Sequence, residues 1–562
     1  MDVQRRVVIL GAILLLGLAL RLHGLHNPIL DHPGWRQGDT ASIAKNFATL
    51  QFNPLYPQTN YNGPPPNYVE LELQIVPFLA AAAYKLVGIH EVIGRLISIG
   101  FSLGTIAVLY FFGRWLFVSE VAGMLTALLF AIMPGSFYYG RTFTPDTTMV
   151  FFLCAALYVI ARMLVDEESW SGRRIAQAVT LLTLALLAKP VALVALVPIA
   201  ALTYRRAVAG RTMRWGAVGL LFAIPLLVLY AYDRNVSAHA EWHWASGITT
   251  KHVGPSLVAS FGQLSALHLK LRFFREVLAM LTVTMIGPAI SALALLGFAV
   301  MPARTRSRTL LYSWLAGGLA YTYIVVTVER VDYYMYLLLP LAALSAAGML
   351  VRLYEALVCA NAGANAGASA KYLLSALGLL LCAGVTYQNY TLVRPYYRYN
   401  KEVYRNAMAL NARLPAGALI VMGHYDPSIL YYIGRYGWEE DPYLWTPFDE
   451  QSAIRKGARY FIAIERNRFN HNVELCAWMQ RFPVVNPRAQ WPVYVTDPAR
   501  VLPNAQRQWR AFRTAEKQGL ARAWLDAHGL CLTEAAAETP WPTRSAYLQR
   551  PARPTPPTDD TQ

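Results

Sequence analysis

The sequence predicts a polytopic α-helical membrane protein that carries a smaller α/β domain towards its C-terminal end. Hydrophobic residues make up 55% of the 562 residues and charged residues only 15%, whereas a soluble domain has roughly a quarter charged residues. The apolar residues are grouped into runs, and several runs are near the ~20 residues that cross a bilayer as a helix. From about residue 390 these runs stop, and short strand-like stretches at 418–422 and 460–464 alternate with helix-like ones.

The first apolar run, 7–24, is predicted to be a retained first helix. It has a basic start at Arg5 and Arg6, but no small-x-small cleavage site follows, since Arg21 comes directly after the apolar centre. Ten later runs bring the total to about eleven predicted spans: 92–116, 120–135, 147–165, 174–189, 191–205, 215–232, 277–301, 310–327, 336–353 and 371–388.

Arginine-rich segments set the predicted orientation. If the spans alternate, four of these segments fall on one side, which the positive-inside rule makes cytoplasmic: 5–6, 173–174, 205–214 and 304–308. These arginines and their contact with anionic lipid explain the net charge of +17, so no nucleic-acid partner is predicted. The outward-facing parts are then the loops 25–91, 136–146, 233–276 and 328–335, together with everything after 388.

The chain is therefore expected to have three regions in a bacterial inner membrane, with its N-terminus in the cytoplasm. A transmembrane domain covers 1–389, a periplasmic α/β domain covers 390–545, and a disordered tail rich in Pro and Thr covers 546–562. Cys476 and Cys531 could form one disulfide outside the cytoplasm, but spacing alone does not show that they meet.

The outer loop 25–91 begins with a stretch that combines acidic, basic and turn-forming residues, including Asp31 and Asp39. A helical pattern starts at Asp39, which is expected to cap the helix together with Thr40. An ordinary N-cap in a surface loop is the plainest explanation of Asp39.

Later in the same loop, three consecutive prolines at 64–66 exclude a helix. The apolar run 68–87 is interrupted by Glu70, Glu72 and Pro77. It is expected to be an interfacial helix on the outer surface, with a true span as the alternative.

Ionisable residues collect on the outward side at the ends of several spans. Taken singly, Arg95 and Arg141 could snorkel to the interface, and Lys189 could mark a kink before Pro190. Taken together, such a cluster could bind an anionic headgroup and deprotonate an acceptor. The candidates are Asp31, Arg36, Asp39, Glu70, Glu72, Arg95, Arg141, Asp146, Lys189, Glu329, Arg330 and Asp332.

Tyrosines 333, 334 and 336 fit either an interfacial aromatic belt or a surface that stacks on a sugar or lipid headgroup. The sequence contains no Walker A loop, no GxGxxG before a helix, no HExxH and no Cys/His zinc pattern. No cofactor is required by these patterns. A divalent metal stays possible if carboxylates approach His32 or His243.

Five segments in order resemble the GT-C superfamily of integral-membrane glycosyltransferases, specifically family 39, which includes protein mannosyltransferases and lipid A aminoarabinose transferases. The segments are the acidic motif 35–44 after the first span, an apolar helix followed by Arg95, the Arg-x-x-x-Pro-Asp loop 141–146, Lys189-Pro190, and the aromatic-Leu-Pro segment 332–340. The resemblance covers roughly residues 7–345.

The resemblance implies a GT-C fold and transfer of a sugar from a polyprenyl-phosphate donor to an acceptor on the outer face of the membrane. Asp39 takes the place of the family's catalytic aspartate and would be the general base, and Asp146 would orient the acceptor or the base. The donor phosphate would be bound by Arg36, Arg95, Arg141 and Lys189.

Two positions depart from the family pattern. Thr40 follows Asp39 where the family often has Glu, and the glycine of a Lys-Gly-Pro motif is missing after Lys189. A second carboxylate could come from Asp31, Glu70 or Glu72, which are assigned with Tyr334 to the acceptor side.

The acceptor could be lipid A, another glycan or a protein hydroxyl, and the sugar is not determined by the sequence. A transporter or flippase of lipid-linked sugars is the alternative function. It is less favoured because no internal repeat is visible and the charges lie at span ends rather than at the midplane. A non-catalytic assembly protein is a third possibility.

Overall fold

The computed structural model describes residues 3–166, 170–240, 267–326, 331–360 and 368–528. Within these ranges the chain is mostly helical, and a five-stranded sheet lies towards the C-terminal end. Several residues named above lie outside the described residues: His243, Glu329, Arg330, Cys531 and the tail 546–562.

The region that precedes the sheet is built mostly from apolar helices. The helices are α1 (Val3–Leu22), α2 (Gly34–Thr49), α3 (Ile75–Val87), α4 (Glu91–Phe117), α5 (Glu120–Ile132), α6 (Pro134–Tyr139), α7 (Asp146–Val165), α8 (Gly172–Ala188), α9 (Leu196–Val208), α10 (Trp215–His239), α11 (Leu267–Met280), α12 (Pro288–Ala299), α13 (Arg308–Tyr321), α14 (Leu339–Ala360) and α15 (Ala368–Val393). Two 3-10 segments, Pro190–Ala195 and Asp332–Leu338, lead into α9 and α14.

Eight of the described helical segments are long and apolar enough to cross a bilayer. The number is nine if Leu271–Met285 and Pro288–Ala299, which are bent by 113° to each other, form one broken span. The sequence predicts about eleven spans because it counts some runs that end early. The run 120–135 is one of them: α5 ends at Ile132 because Met133 is extended before Pro134.

Two predicted helix starts in the outer loop are wrong. Helix α2 begins at Gly34 with Pro33 as its N-cap residue, so Asp39 lies within the helix and does not cap it. Helix α3 begins at Ile75, and the residues from Asn67 to Gln74 are not helical. Glu70 and Glu72 therefore lie on an irregular segment, where both side chains are buried.

The sheet contains β1 (Leu419–Met422), β2 (Tyr436–Glu439), β3 (Ala458–Ile462), β4 (Val484–Val485) and β5 (Val493–Val495), in the order β2-β1-β3-β5-β4. β1 pairs in parallel with β2 and β3, with Val421 opposite Trp438 and Phe461, and β5 is antiparallel to β3 and β4. The surrounding helices are α16 (Lys401–Arg413), α17 (Pro427–Ile433), α18 (Pro447–Arg455), α19 (Arg466–His471), α20 (Val473–Met479), α21 (Ala505–Lys517) and α22 (Ala521–Ala527). We refer to residues 401–528 as the sheet domain.

The sheet domain shares a hydrophobic core with residues 25–91 and with the neighbouring ends of membrane helices. Ile29, Ala41 and Val76 are in the same buried cluster as Ile420 and Ile429. Each of these five side chains is fully buried. Because neither part can keep these side chains from water alone, the packing joins the two parts into one unit.

Candidate functional site

Asp31 lies at the centre of a buried ion-pair cluster with two arginines. Arg95 Nη2 on α4 lies 2.8 Å from Asp31 Oδ1, and Arg141 Nη2, between α6 and α7, lies 2.6 Å from Oδ2. Gln37 Nε2 donates a further hydrogen bond to Oδ1 at 2.8 Å. Both arginines also donate to the carbonyl oxygen of Gly24 at 3.1 Å. The cluster ties the chain that leaves α1 to α4 and to the loop between α6 and α7.

The charges of this cluster determine the protonation of Asp31. Burial alone would raise the pKa of this carboxyl group, but the guanidinium groups of Arg141 and Arg95 outweigh burial and hold the pKa below its usual value. Asp31 is therefore ionised at neutral pH and has little capacity to accept a proton.

Arg95 and Arg141, which the sequence assigns to the donor phosphate, are both fully buried and directed at Asp31. Arg141 also lies 4.9 Å from the Tyr138 ring and 4.5 Å from the Tyr397 ring. In this geometry the two guanidinium groups hold the outer loop in place.

Asp39 occupies the second turn of α2, and only 3% of its surface is exposed. The Tyr61 hydroxyl donates a hydrogen bond to Asp39 Oδ1 at 2.9 Å, and Arg36 Nη1 lies 4.0 Å from Oδ2. Burial, followed by the charges of Asp39 and Glu439, raises the pKa of Tyr61 well above its usual value. The phenol therefore stays protonated and remains a hydrogen-bond donor to the carboxylate.

Arg36 connects α2 with the irregular segment before α3. Its Nη2 atom pairs with Glu72 Oε1, and both side chains are buried. This segment is anchored to the membrane helices, because Leu73 N donates to Leu187 O at 2.8 Å and the Tyr232 hydroxyl donates to Leu71 O at 3.1 Å. Burial would lower the pKa of Arg36, but the charges around it, of which Glu72 contributes most, together outweigh burial and raise the pKa.

A second buried ion pair joins the start of α7 to the end of α8. Lys189 Nζ lies 2.7 Å from Asp146 Oδ1 and 4.3 Å from the centroid of the Tyr334 ring. The other oxygen, Asp146 Oδ2, is buried and has no hydrogen-bond partner among the described residues. A carboxylate oxygen in that position retains the capacity to accept a hydrogen bond.

His32 and Asp332 form a hydrogen-bonded pair that the sequence did not predict. His32 Nε2 lies 3.1 Å from both carboxylate oxygens of Asp332, and the Tyr396 hydroxyl donates to Asp332 Oδ2 at 2.7 Å. Burial would lower the pKa of His32, but the charge and hydrogen bond of Asp332 outweigh it and raise the pKa. The pair links the turn before α2, the segment before α14 and the residues that follow α15.

The structure brings the predicted residues together in small buried groups rather than in one open cluster. Asp31 forms a group of three with Arg95 and Arg141, Arg36 pairs with Glu72 and lies near Asp39, and Asp146 pairs with Lys189. Tyr61 is the residue in contact with Asp39 that the sequence analysis missed. Tyr61 lies three residues before a run of three prolines, and this sequence context contains no pattern typical of a catalytic residue.

Among the described residues, no group of three or more His, Cys, Asp or Glu side chains is arranged to hold a metal ion. His32, which the sequence offered as a possible ligand, is engaged with Asp332.

The comparisons with known proteins agree with this architecture. A family model described as dolichyl-phosphate-mannose-protein mannosyltransferase matches residues 74–231. That segment includes Arg95, Arg141, Asp146 and Lys189 but not Asp39. No curated protein matches the sequence.

Solved structures match over most of the chain at low identity. ArnT from Cupriavidus metallidurans bound to undecaprenyl phosphate is 14% identical with a TM-score of 0.54, and the match covers 89% of this chain and 100% of that one. The oligosaccharyltransferase of Archaeoglobus fulgidus in the apo form is 14% identical with a TM-score of 0.57, over 89% and 75% of the two chains. AglB from the same archaeon, in complex with an inhibitory peptide and a dolichol-phosphate, is 12% identical with a TM-score of 0.53, over 89% and 75%.

The chain is an integral membrane protein with the fold of the GT-C glycosyltransferases. Residues 74–231 carry the resemblance to glycosyltransferase family 39.

Proposed function

We propose that this protein transfers a sugar from a polyprenyl-phosphate donor to a hydroxyl of a lipid, glycan or protein on the outer face of the membrane, with Asp39 as the general base. The observation that carries the proposal is the environment of Asp39, a buried carboxylate oriented by Tyr61 beside Arg36 in a chain of this fold. The solved relatives with a polyprenyl or dolichyl phosphate bound support a lipid-phosphate donor.

The bond changes follow from the chemistry of glycosyl phosphates. The acceptor oxygen attacks the anomeric carbon, its proton passes to the Asp39 carboxylate, and the bond from that carbon to the phosphate oxygen breaks. Polyprenyl phosphate then leaves with the bonding electron pair. A base on the attacking hydroxyl and cations near the departing phosphate both lower the barrier.

Arg36 and Lys189 are the cations that we assign to the donor phosphate. In the structure Arg36 pairs with Glu72, and Lys189 pairs with Asp146. A phosphate would compete with those carboxylates, and a released Asp146 could then orient the acceptor. Arg95 and Arg141 act indirectly in this proposal, by fixing the position of Asp31 and the start of α2.

Asp39→Asn tests the proposal, because it keeps the size and removes the proton acceptor. We expect the transfer rate to fall by about 10²- to 10⁴-fold, which is the usual contribution of a general base. Transfer is measured in nanodiscs with a panel of synthetic polyprenyl-phosphate monosaccharides. Binding of undecaprenyl phosphate should be retained, and the protein should still fold because Arg36 keeps its ion pair with Glu72.

The control is Asp526→Asn, which removes an exposed carboxylate of the sheet domain that pairs with Arg522. Transfer by Asp39→Asn at the wild-type rate would refute the assignment of the base. Lipid movement across the bilayer without transfer would favour the flippase alternative. Mass spectrometry of glycolipids and glycoproteins lost in a deletion strain identifies the acceptor.

A further inference from the structure

The edge strand of the sheet domain is bonded to the loop that carries Tyr61. Gly63 N donates to Gly437 O at 2.8 Å, and Gly437 N donates to Asn60 O at 3.1 Å. These two hydrogen bonds flank Tyr61 on either side. The Tyr436 hydroxyl adds a third contact nearby, to Asn46 Oδ1 of α2 at 2.7 Å.

Gly63 makes this contact possible. Its φ of +122° is rarely adopted by residues with a side chain, and a Cβ atom there would lie 3.2 Å from the Trp438 ring. The loop therefore lies directly on β2, with little room to move away from it.

Tyr61 is the group through which this contact reaches the acidic site. Its hydroxyl lies 2.9 Å from Asp39 Oδ1. The charged groups near this bond are Arg36, on the other oxygen of Asp39, and Glu439 at the end of β2. A carboxylate that accepts a hydrogen bond from a buried phenol is fixed in orientation and favoured in its ionised form.

We propose that the sheet domain completes the Asp39 site, because its edge strand holds the loop that presents the Tyr61 hydroxyl to the Asp39 carboxylate. Tyr61 is in this view a positioning residue that acts through Asp39. The inference deepens the proposed function and rests on it for its catalytic consequence, whereas the link from β2 through Tyr61 to Asp39 can be tested without turnover.

The experiment compares Tyr61→Phe and Gly63→Ala with Tyr68→Phe in the full-length protein in nanodiscs. Tyr68 is the matched control, since its hydroxyl donates to Gln51 Oε1 at 3.0 Å in the same loop. Titration of the Asp39 carboxyl group is followed by infrared difference spectra, with Asp39→Asn used to assign its band. Hydrogen exchange of the amides at 58–63 and 436–439 reports the contact between the loop and β2.

We expect Tyr61→Phe to raise the midpoint of the Asp39 titration by about one pH unit, because a hydrogen bond to the ionised form is lost. The acid limb of kcat/KM should move upward by the same amount, and kcat should fall by about tenfold while KM for the donor changes little. Gly63→Ala should speed exchange in both segments and shift the titration in the same direction. Tyr68→Phe should leave all three measurements unchanged.

An unshifted Asp39 titration in Tyr61→Phe would overturn the inference, as would wild-type exchange and titration in Gly63→Ala. Failure of the proposed function gives a different result. In that case Asp39→Asn retains transfer, whereas Tyr61→Phe still shifts the titration and Gly63→Ala still loosens the contact.

Discussion

At the scale of single residues, Asp31 is the carboxylate whose loss should damage the structure most. Asp31→Asn would leave the guanidinium groups of Arg95 and Arg141 buried without their negative partner. Breaking a buried ion pair on one side costs about 3–5 kcal/mol. We expect a lower melting temperature for the detergent-solubilised protein.

The surface variant Asp526→Asn is the comparison for this prediction, because its pair with Arg522 is more than half exposed and should contribute little. Equal melting temperatures for Asp31→Asn and the wild type would show that the cluster does not hold the fold together.

Glu450 in the sheet domain gives a prediction about pH. The carboxyl group is buried, and burial raises its pKa to about 8 even though Trp445 Nε1 donates to it at 2.8 Å. Between the unfolded pKa of 4.5 and the folded pKa of about 8, the folded state holds a proton that the unfolded state has released. The contribution of Glu450 to stability therefore decreases as pH rises through this window.

Glu450→Gln removes this titration while keeping the size and an acceptor for Trp445. Relative to the wild type, the variant should be more stable at pH 8 than at pH 5, by about 1–3 kcal/mol. Melting curves at the two pH values measure this difference, and Glu474→Gln, which alters a surface pair with Arg513, is the control. A difference in stability between the variant and the wild type that does not change with pH would contradict the raised pKa of Glu450.

The sequence could single out the ionisable residues near the ends of predicted spans but not how they pair. Arg21 shows the reason. It follows the first apolar run, yet it is fully buried and donates to Ser102 Oγ at 2.8 Å and Ser136 Oγ at 2.8 Å. Ser102 and Ser136 are distant from Arg21 in the sequence, so no local pattern predicts these contacts. The contact between His32 and Asp332 is equally distant in the sequence and equally hard to predict.

At the scale of elements, α2 and α17 meet with no space between them. A Cβ atom on Gly38 would lie 2.5 Å from Ser428 Cα, whereas one on Gly34 would have its nearest neighbour, Ile29 O, at 3.4 Å. Gly38→Ala should therefore push the two helices apart and destabilise the protein by about 1–3 kcal/mol. Gly34→Ala in the same helix should be tolerated. Melting temperatures of the two variants test the prediction. Equal melting temperatures would show that α17 moves to accommodate the added methyl group.

Element boundaries followed the sequence where an apolar run was long and uninterrupted, as in α4 and α7. The boundaries differed from the prediction where prolines or buried polar residues intervened. Helix α2 starts five residues earlier than predicted because Pro33 ends the preceding turn and the helix is held by packing instead of a side-chain cap. The segment before α3 is irregular because Arg36 and the α8 end fix its position.

At the scale of the whole molecule, the shared core predicts that the membrane region depends on the sheet domain. A chain that ends at residue 400 would expose Ile29, Ala41 and Val76, which the sheet domain now covers. We expect it to aggregate or to be degraded. Size-exclusion chromatography in detergent measures this outcome, with a chain that ends at residue 528 as the control. A monodisperse chain ending at residue 400 would show that the membrane region is independent.

The general architecture was accessible from composition, since apolar runs and their abrupt end near residue 390 separate membrane helices from an α/β region. The packing between the membrane helices and the α/β region could not be predicted in this way. All residues of α17 and most residues of α2 are buried, and nothing in their spacing indicates that both helices face the same core.

The close fit of Gly38 and Gly63 against the sheet domain also limits how this protein can be recombined. Exchanging only the C-terminal region with that of a distant relative would replace the surfaces at Ser428 and Trp438 but keep the glycines shaped to them. A working chimera would need to carry residues 25–74 together with the sheet domain. For the same reason, variation in the outer loop and in α17 is expected to be correlated across related proteins.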